Sequence, residues 1–322
     1  MHPRPASIAA CVLAILSMTA FARPSQAYPT VEGQPARYVI ITGDELAQSF
    51  KPLADFRTRG GLPALVRTMS EVIAAHPAAF DDAERVRLDI REGWLAGAQW
   101  VLLGGGAGVV PQRYARTTFF GGMDLLTDLY FQCLEGTWDA DGDHVYGEGF
   151  LSSSFPGDSA DLGPDVWLGR APVLTPEEAR RFVNKTLRYE RTPAGDFGNR
   201  SLECAEVLFP QDWVPGGFIS LDGAQLVEEL LPFFDLHPGI EVSRLYENHT
   251  DPAWRPGALP ETRDPVLAAL NAGANQTLIV GHGNIHTVSV GKGTLDESDF
   301  LSLTNNNRLM SLRFLGSQAA QW

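Results

Sequence analysis

The stretch Gln276-Thr-Leu-Ile-Val-Gly-His-Gly-Asn284 decides how this chain is read. Thr277 to Val280 is a short apolar, β-rich run without proline, the pattern of a buried strand. It stops at Gly281-His282-Gly283, which leaves one imidazole at the carboxyl end of the strand between two residues without side chains. In an open parallel α/β sheet, ligands sit outside the carboxyl ends of the strands. The flanking glycines let a substrate backbone come close and leave an N–H to face it. The alternative is a turn that happens to contain a histidine.

Upstream, strands and helices alternate. Arg37 to Thr42 reads as a strand, and Asp44 to Arg59 carries Leu46, Phe50, Leu53 and Phe56 at helical spacing before Gly60-Gly61. Leu62 to Arg67 is a strand, Ala83 to Ala98 an amphipathic helix, and Trp100 to Leu103 a strand entering Gly104-Gly105-Gly106. That glycine run lacks the Lys-Ser/Thr of a phosphate loop and reads as a structural turn. Asp165 to Arg170 is a strand, and Thr175-Pro-Glu-Glu178 is a capping box opening a helix to about Glu190. A polar linker, Thr192 to Asn199, separates two subdomains, 28–195 and 196–322.

The second subdomain repeats the pattern. Strands are expected over Leu202–Phe209, Glu241–Tyr246, Thr277–Val280 and Leu309–Leu315, and helices over Asp222–Phe234, Asp264–Ala274 and Asp296–Leu303. Strand–helix alternation implies parallel βαβ units, hence an α/β fold with two mainly parallel sheets flanked by helices. Leu309–Leu315 is apolar on both faces, like a strand flanked on both sides. Nothing follows to flank it, so the second subdomain is expected to be incomplete at its C-terminus.

Composition narrows the function. At 322 residues, 44% hydrophobic and 20% charged, the chain has enough length for two core-bearing units. A net charge of −14 argues against nucleic acid or an anionic membrane as partner. Residues 1–27 read as a targeting segment: Arg4, an apolar run from Ile8 to Phe21, and a small-residue cleavage site at Ser25-Gln26-Ala27. That run is short for a membrane span and no later run is longer, so a secreted, periplasmic or cell-surface location is expected. Cleavage would leave Cys133 and Cys204, which pair or stay buried and free; both read as structural.

A second constellation lies at Asp139-Ala-Asp141-Gly-Asp143-His-Val-Tyr-Gly-Glu148. Three carboxylates at alternate positions with a glutamate beyond are hard oxygen ligands that suit a structural Ca²⁺. The glycine and glutamate are placed differently from an EF-hand loop, and a solvated acidic turn is the alternative.

Several stretches together resemble the gingipain-type cysteine peptidases, which have a caspase-like fold. They are Thr127-Asp-Leu-Tyr-Phe…Gly136, Asp165-Val-Trp-Leu-Gly-Arg-Ala-Pro172, Lys185-Thr-Leu-Arg-Tyr-Glu190, Gly281-His282-Gly283, and Leu303-Thr-Asn-Asn-Asn-Arg-Leu309 leading into a strand. The resemblance covers residue 37 to the end and implies a protein or peptide substrate. It implies that His282 is the acid/base, and it puts the nucleophile at Ser317, where the family has cysteine. The N–H of Gly283 with that of the nucleophile would form an oxyanion hole. Glu206 and Asp212 are candidates for the group that orients His282. The family's best-known members select Arg or Lys through a buried acid; Asp222 is near the expected place without matching it. Three readings follow: a secreted peptidase weakened by serine or using it, a non-catalytic peptide- or protein-binding member, and a fragment of a longer peptidase.

Overall fold

The computed structural model describes residues 28–116, 123–149, 157–191, 195 and 197–316. The targeting segment 1–27 and Ser317 lie outside the described residues.

Two parallel sheets carry the chain. The first is ordered Ala64–Thr68, Tyr38–Thr42, Trp100–Gly104, Trp167–Ala171, with every pairing parallel. Its central strand is apolar on both faces because helices cover both. Val39 and Ile41 enter one core with Val86 and Ile90, while Ile40 enters the other with Phe50, Leu53 and Val183. The period of two thus places consecutive residues in different cores. Between the strands run helices Ala47–Arg59 and Asp82–Ala96, and Pro176–Arg191 follows the last. The expected capping box is formed: Thr175 Oγ1 accepts from Glu178 N at 3.2 Å, and the Glu178 carboxylate accepts from Thr175 N at 3.2 Å. The triple-glycine turn is a packing device. A Cβ on Gly104 would fall 2.7 Å from the Phe50 ring, and one on Gly105 would fall 2.6 Å from Val109.

The second sheet is ordered Leu259–Pro260, Glu241–Tyr246, Arg200–Ala205, Gln276–Val280, Ser311–Leu315, again wholly parallel. Leu202, Cys204, Leu245 and Ile279 face one core with helix Arg263–Ala272; Ala205, Tyr246 and Val280 face helix Gly223–Asp235. Cys133 and Cys204 are both buried and free. Burial pushes each thiol up, so neither presents a thiolate near neutral pH.

One expectation is corrected. The expected strand Leu202–Phe209 is two: Arg200–Ala205 stays in the sheet, and Val207–Phe209 leaves it to pair antiparallel with Leu221–Asp222. The break falls at Glu206, whose carboxylate turns inward and accepts the backbone N–H of His282. Ser311–Leu315 pairs with Gln276–Val280 alone among the described residues, which leaves Leu312 and Leu315 exposed. The hairpins Arg113–Arg116/Asp124–Thr127 and Thr287–Val290/Gly293–Asp296, and helix Met69–Ala75, were not expected. Among the described residues no helix is long and apolar enough to cross a membrane.

Candidate active site

The site forms where the second sheet's strands end. Val280 pairs with Ala205 on one side and Leu315 on the other, so residues 206, 281 and 316 meet on one rim. The ladder runs one step further as Gly281 N–H donates to the Leu315 carbonyl at 3.1 Å. Gly281 is glycine for want of space: a Cβ there would lie 2.9 Å from the Ser289 carbonyl oxygen and 3.2 Å from the Glu206 carboxyl carbon. A side chain at Gly316 would collide with the Gly281 carbonyl and the Phe314 ring.

His282 is held by the segment that leaves the sheet beside it. Its Nε2 lies 2.7 Å from the Leu208 carbonyl oxygen. A carbonyl only accepts, so this contact puts the ring proton on Nε2 and the lone pair on Nδ1. Nδ1 is 3.3 Å from Gln211 Nε2, and the Phe209 ring stands edge-on to the imidazole with centroids 5.4 Å apart. Glu206, 3% exposed, holds the loop from behind; its Oε1 accepts the His282 backbone N–H and lies 4.0 Å from Nε2. Burial pushes the Glu206 carboxyl up, opposed by hydrogen bonds from the Ser289 side chain and the His282 N–H. Gly283 bridges Val288 through its neighbours: Ser289 N–H donates to His282 O at 2.7 Å and Asn284 N–H to Thr287 O at 3.0 Å. That pattern leaves the Gly283 N–H out of the ladder.

A cleft of about 610 Å³ opens beside the imidazole. Leu208, Phe209, Leu226 and Val280 make it apolar, Asp222 and Glu229 contribute acids, and Gly316 closes one end. Asp222 is also the N-cap of helix Gly223–Asp235. Its carboxylate accepts from Ala224 N at 2.9 Å and from Asn248 Nδ2 at 3.2 Å, and burial pushes it up.

Of the residues expected here, the structure brings together His282, Gly283 and Glu206. Asp212 is exposed and makes no contact with His282 among the described residues. Ser317 is next in sequence after Gly316 and is outside the described residues. The Leu208 carbonyl and Gln211 were missed. A backbone acceptor has no sequence signature, and Gln211 was legible only as one residue of the stretch before Asp212.

The acidic residues form a separate group, none of which lines the cleft. Asp139, Asp141 and Asp158 bring carboxylate oxygens within 4.8 Å of one another, as do Asp141, Asp143 and Glu148. Asp158, which sequence reading missed within a loop rich in serine and glycine, is fully buried and accepts from Ala140 N and Glu148 N at 2.9 and 2.8 Å. The donor set is all oxygen, and Asp139 Oδ1 is buried without a hydrogen-bond partner, so the residues fit a hard divalent cation. Burial, then Asp143, Asp158 and Asp141, push the Glu148 carboxyl up.

Known structures share this architecture. The complex of the pro- and mature domains of RgpB from Porphyromonas gingivalis superimposes with a TM-score of 0.58 at 16% identity, covering 87% of this chain and 55% of that one. The Arg-specific cysteine proteinase gingipain R does so with a TM-score of 0.60 at 16% identity, covering 89% of this chain and 56% of that one. The chain therefore spans just over half the length of the solved structures it matches, and its fold is the caspase-like fold of the gingipains. No curated protein matches it. The family model for peptidase family C25 matches residues 31–318, nearly the whole chain, and the chain belongs to that family.

Proposed function

We propose that the cleft beside His282 binds an extended peptide and is built for hydrolysis of its amide bond. The observation that carries this is the state of the imidazole at the cleft wall: His282 lines the cleft, its Nε2–H is committed to the Leu208 carbonyl, and Nδ1 is left as the basic nitrogen. In the reaction, Nδ1 takes the proton of the nucleophile at residue 317 as that group attacks the scissile carbonyl carbon. The carbonyl oxygen gains the negative charge, which the Gly283 N–H and the N–H of residue 317 stabilise in this proposal. The imidazolium then gives its proton to the leaving amine, and water repeats the cycle on the acyl intermediate. Glu206 fixes the His282 backbone and supports the imidazolium without touching substrate.

Serine at 317 sets the rate. A thiol with a reference pKa of about 8.5 supplies thiolate near neutral pH, whereas a hydroxyl needs a base in direct contact. The chain is accordingly a weak or serine-using peptidase. The second reading, a peptide-binding member without turnover, is favoured by the same serine and by Gln211 on the basic nitrogen. Asp222 and Glu229 in an otherwise apolar wall favour a substrate residue with an apolar stem and a cationic head. The acidic loop holds Ca²⁺ through Asp139, Asp141 and Asp158, with Asp143 and Glu148 beside them, and locks the first subdomain. The protein acts outside the cytoplasm after removal of residues 1–27.

Peptide amides with Arg, Lys or Leu before the scissile bond test the reading. Ser317→Cys is expected to gain an alkylator-sensitive activity that disappears with His282→Ala. Parent turnover that Ser317→Ala leaves untouched would show that residue 317 is not the nucleophile. Binding of the Arg and Lys peptides without turnover selects the second reading.

A further inference from the structure

We infer that the Gln211 side-chain amide is a removable cap on the basic nitrogen of His282. It masks the lone pair in the resting protein and leaves when a peptide enters the cleft; this last step rests on the peptide-binding reading above.

The two ring contacts of His282 fix each other's sense. The Leu208 carbonyl at 2.7 Å accepts only, so Nε2 carries the proton. Nδ1 is then an acceptor, and the group 3.3 Å away, Gln211 Nε2, is a donor. The hydrogen bond therefore occupies the lone pair that a general base must offer its nucleophile. A base cannot accept a proton from residue 317 while Gln211 donates to the same nitrogen.

The cap is built to come off. Gln211 is exposed and leads a solvent-facing excursion, Gln211 to Ser220, in which Trp213 is the buried anchor and Phe218 stands free. Leu208 and Phe209, which hold the rest of the ring, lie immediately before this excursion. Two holding contacts thus come from the strand before the excursion and the masking contact from an exposed side chain. Losing a single exposed hydrogen bond costs about 0.5–1.5 kcal/mol, which a peptide filling an apolar cleft readily offsets. Gln211 is on this account a positioning residue: it sets the availability of the base without taking a proton.

The charged groups near the ring do not replace it. Glu206 lies on the Nε2 side at 4.0 Å, Asp222 is engaged by Ala224 and Asn248, and Glu247 accepts from Val207 N at 3.0 Å. None of these contacts reaches Nδ1.

The test uses diethyl pyrocarbonate, which acylates an unprotonated imidazole nitrogen, with rates read peptide by peptide by mass spectrometry. His286, exposed four residues away, is the internal reference. Gln211→Ala and Gln211→Asn are each expected to speed acylation of His282 about two- to tenfold while His286 is unchanged. Equal His282 rates in the wild type and both variants would overturn the cap. Independently of any variant, ¹⁵N spectra of the wild-type imidazole should show the proton on Nε2, and a proton on Nδ1 would also overturn it. A saturating Arg-containing peptide amide should move the Gln211 side-chain amide resonance. Binding without such movement overturns its removal by substrate. A failure of every peptide to bind counts against the peptide-cleft reading alone, because the rates in free protein already decide the cap.

Discussion

Two regions gather carboxylates, and they treat them in opposite ways. In the loop from Asp139 to Asp158 the acids meet backbone N–H groups: Asp143 accepts from Val145 N at 2.8 Å, and Asp158 accepts from Ala140 N and Glu148 N. At the strand ends of the second sheet, Glu206, Glu247, Glu261 and Asp222 lie close together, and burial pushes each carboxyl up. Glu261 is the extreme case. It is 2% exposed, neither oxygen has a well-formed hydrogen bond, and Glu206, Glu247 and Asp222 add to its burial. In the loop the carboxylates are turned to backbone N–H groups and to one another. At the strand ends low dielectric and like charge both disfavour the ionised form. Similar residue types are thus held by backbone N–H groups in one place and buried against one another behind a histidine in the other.

The largest test falls on the loop. Asp158→Ala leaves two N–H groups in a fully buried place without an acceptor and should cost about 2–4 kcal/mol in a urea melt. In the wild type, calcium at about one hundred times its Kd should add about 2.7 kcal/mol over chelator. Asp158→Ala should abolish that increment. A wild-type midpoint that calcium does not move would reduce the loop to a solvated acidic turn.

At the strand ends the expected sign is reversed. Glu261→Met removes a buried acid from among like charges and should stabilise the fold by about 3 kcal/mol at pH 8. The gain should shrink on acidification. Below the unfolded carboxyl pKa both states of the wild type hold the proton, whereas above it only the unfolded chain ionises freely. A gain independent of pH would mean that Glu261 is ionised in the fold.

Glu203 offers the same test at a defined pH. On strand Arg200–Ala205 it is 3% exposed, one oxygen accepts from Ser201 Oγ at 2.6 Å and the other has no partner. Burial pushes it from 4.5 up to about 6. The stability this proton supports is complete below pH 4.5 and lost as pH rises through about 6, a change of roughly 2 kcal/mol. Urea melts from pH 4 to 7.5 should show that slope in the wild type and lose it in Glu203→Gln.

These effects also mark how far the sequence could be read. Alternation of apolar runs located both sheets, because parallel strands covered on both faces are apolar throughout and helices show the 3.6-residue period. Gly281-His282-Gly283 alone left a plain turn open, and it was legible as a site because the other stretches of the family pattern stand in order around it. Glu206 was legible as a candidate, but its strand break was not: Leu202–Phe209 is uniformly strand-like, and the turn at 206 comes from a tertiary contact with the His282 N–H. Asp158 and Glu261 were missed for the same reason. Each joins its cluster across sequence distance, through folding that no local pattern records.

The smallest effect expected is at Glu148, and it separates the two regions most sharply. Glu148 is partly exposed, and its carboxyl is raised by burial and by Asp143, Asp158 and Asp141. Solvent screens such a group, so in chelator Glu148→Gln should change stability by no more than about 0.5 kcal/mol, in the stabilising direction as repulsion is relieved. With calcium the sign should reverse. Like charge is a small burden without the ion and a source of affinity with it, so the variant should need more calcium for the same rise in Tm. At the strand ends no cation should rescue the wild type relative to Glu261→Met, since Glu206, Glu247 and Glu261 do not bring three ligand oxygens within 4.8 Å. A calcium titration of both variants beside the wild type therefore decides whether the loop's acids are held for an ion. If Glu148→Gln melts like the wild type at every calcium concentration, Glu148 is no part of the site and the ion, where present, is held by Asp139, Asp141 and Asp158 alone.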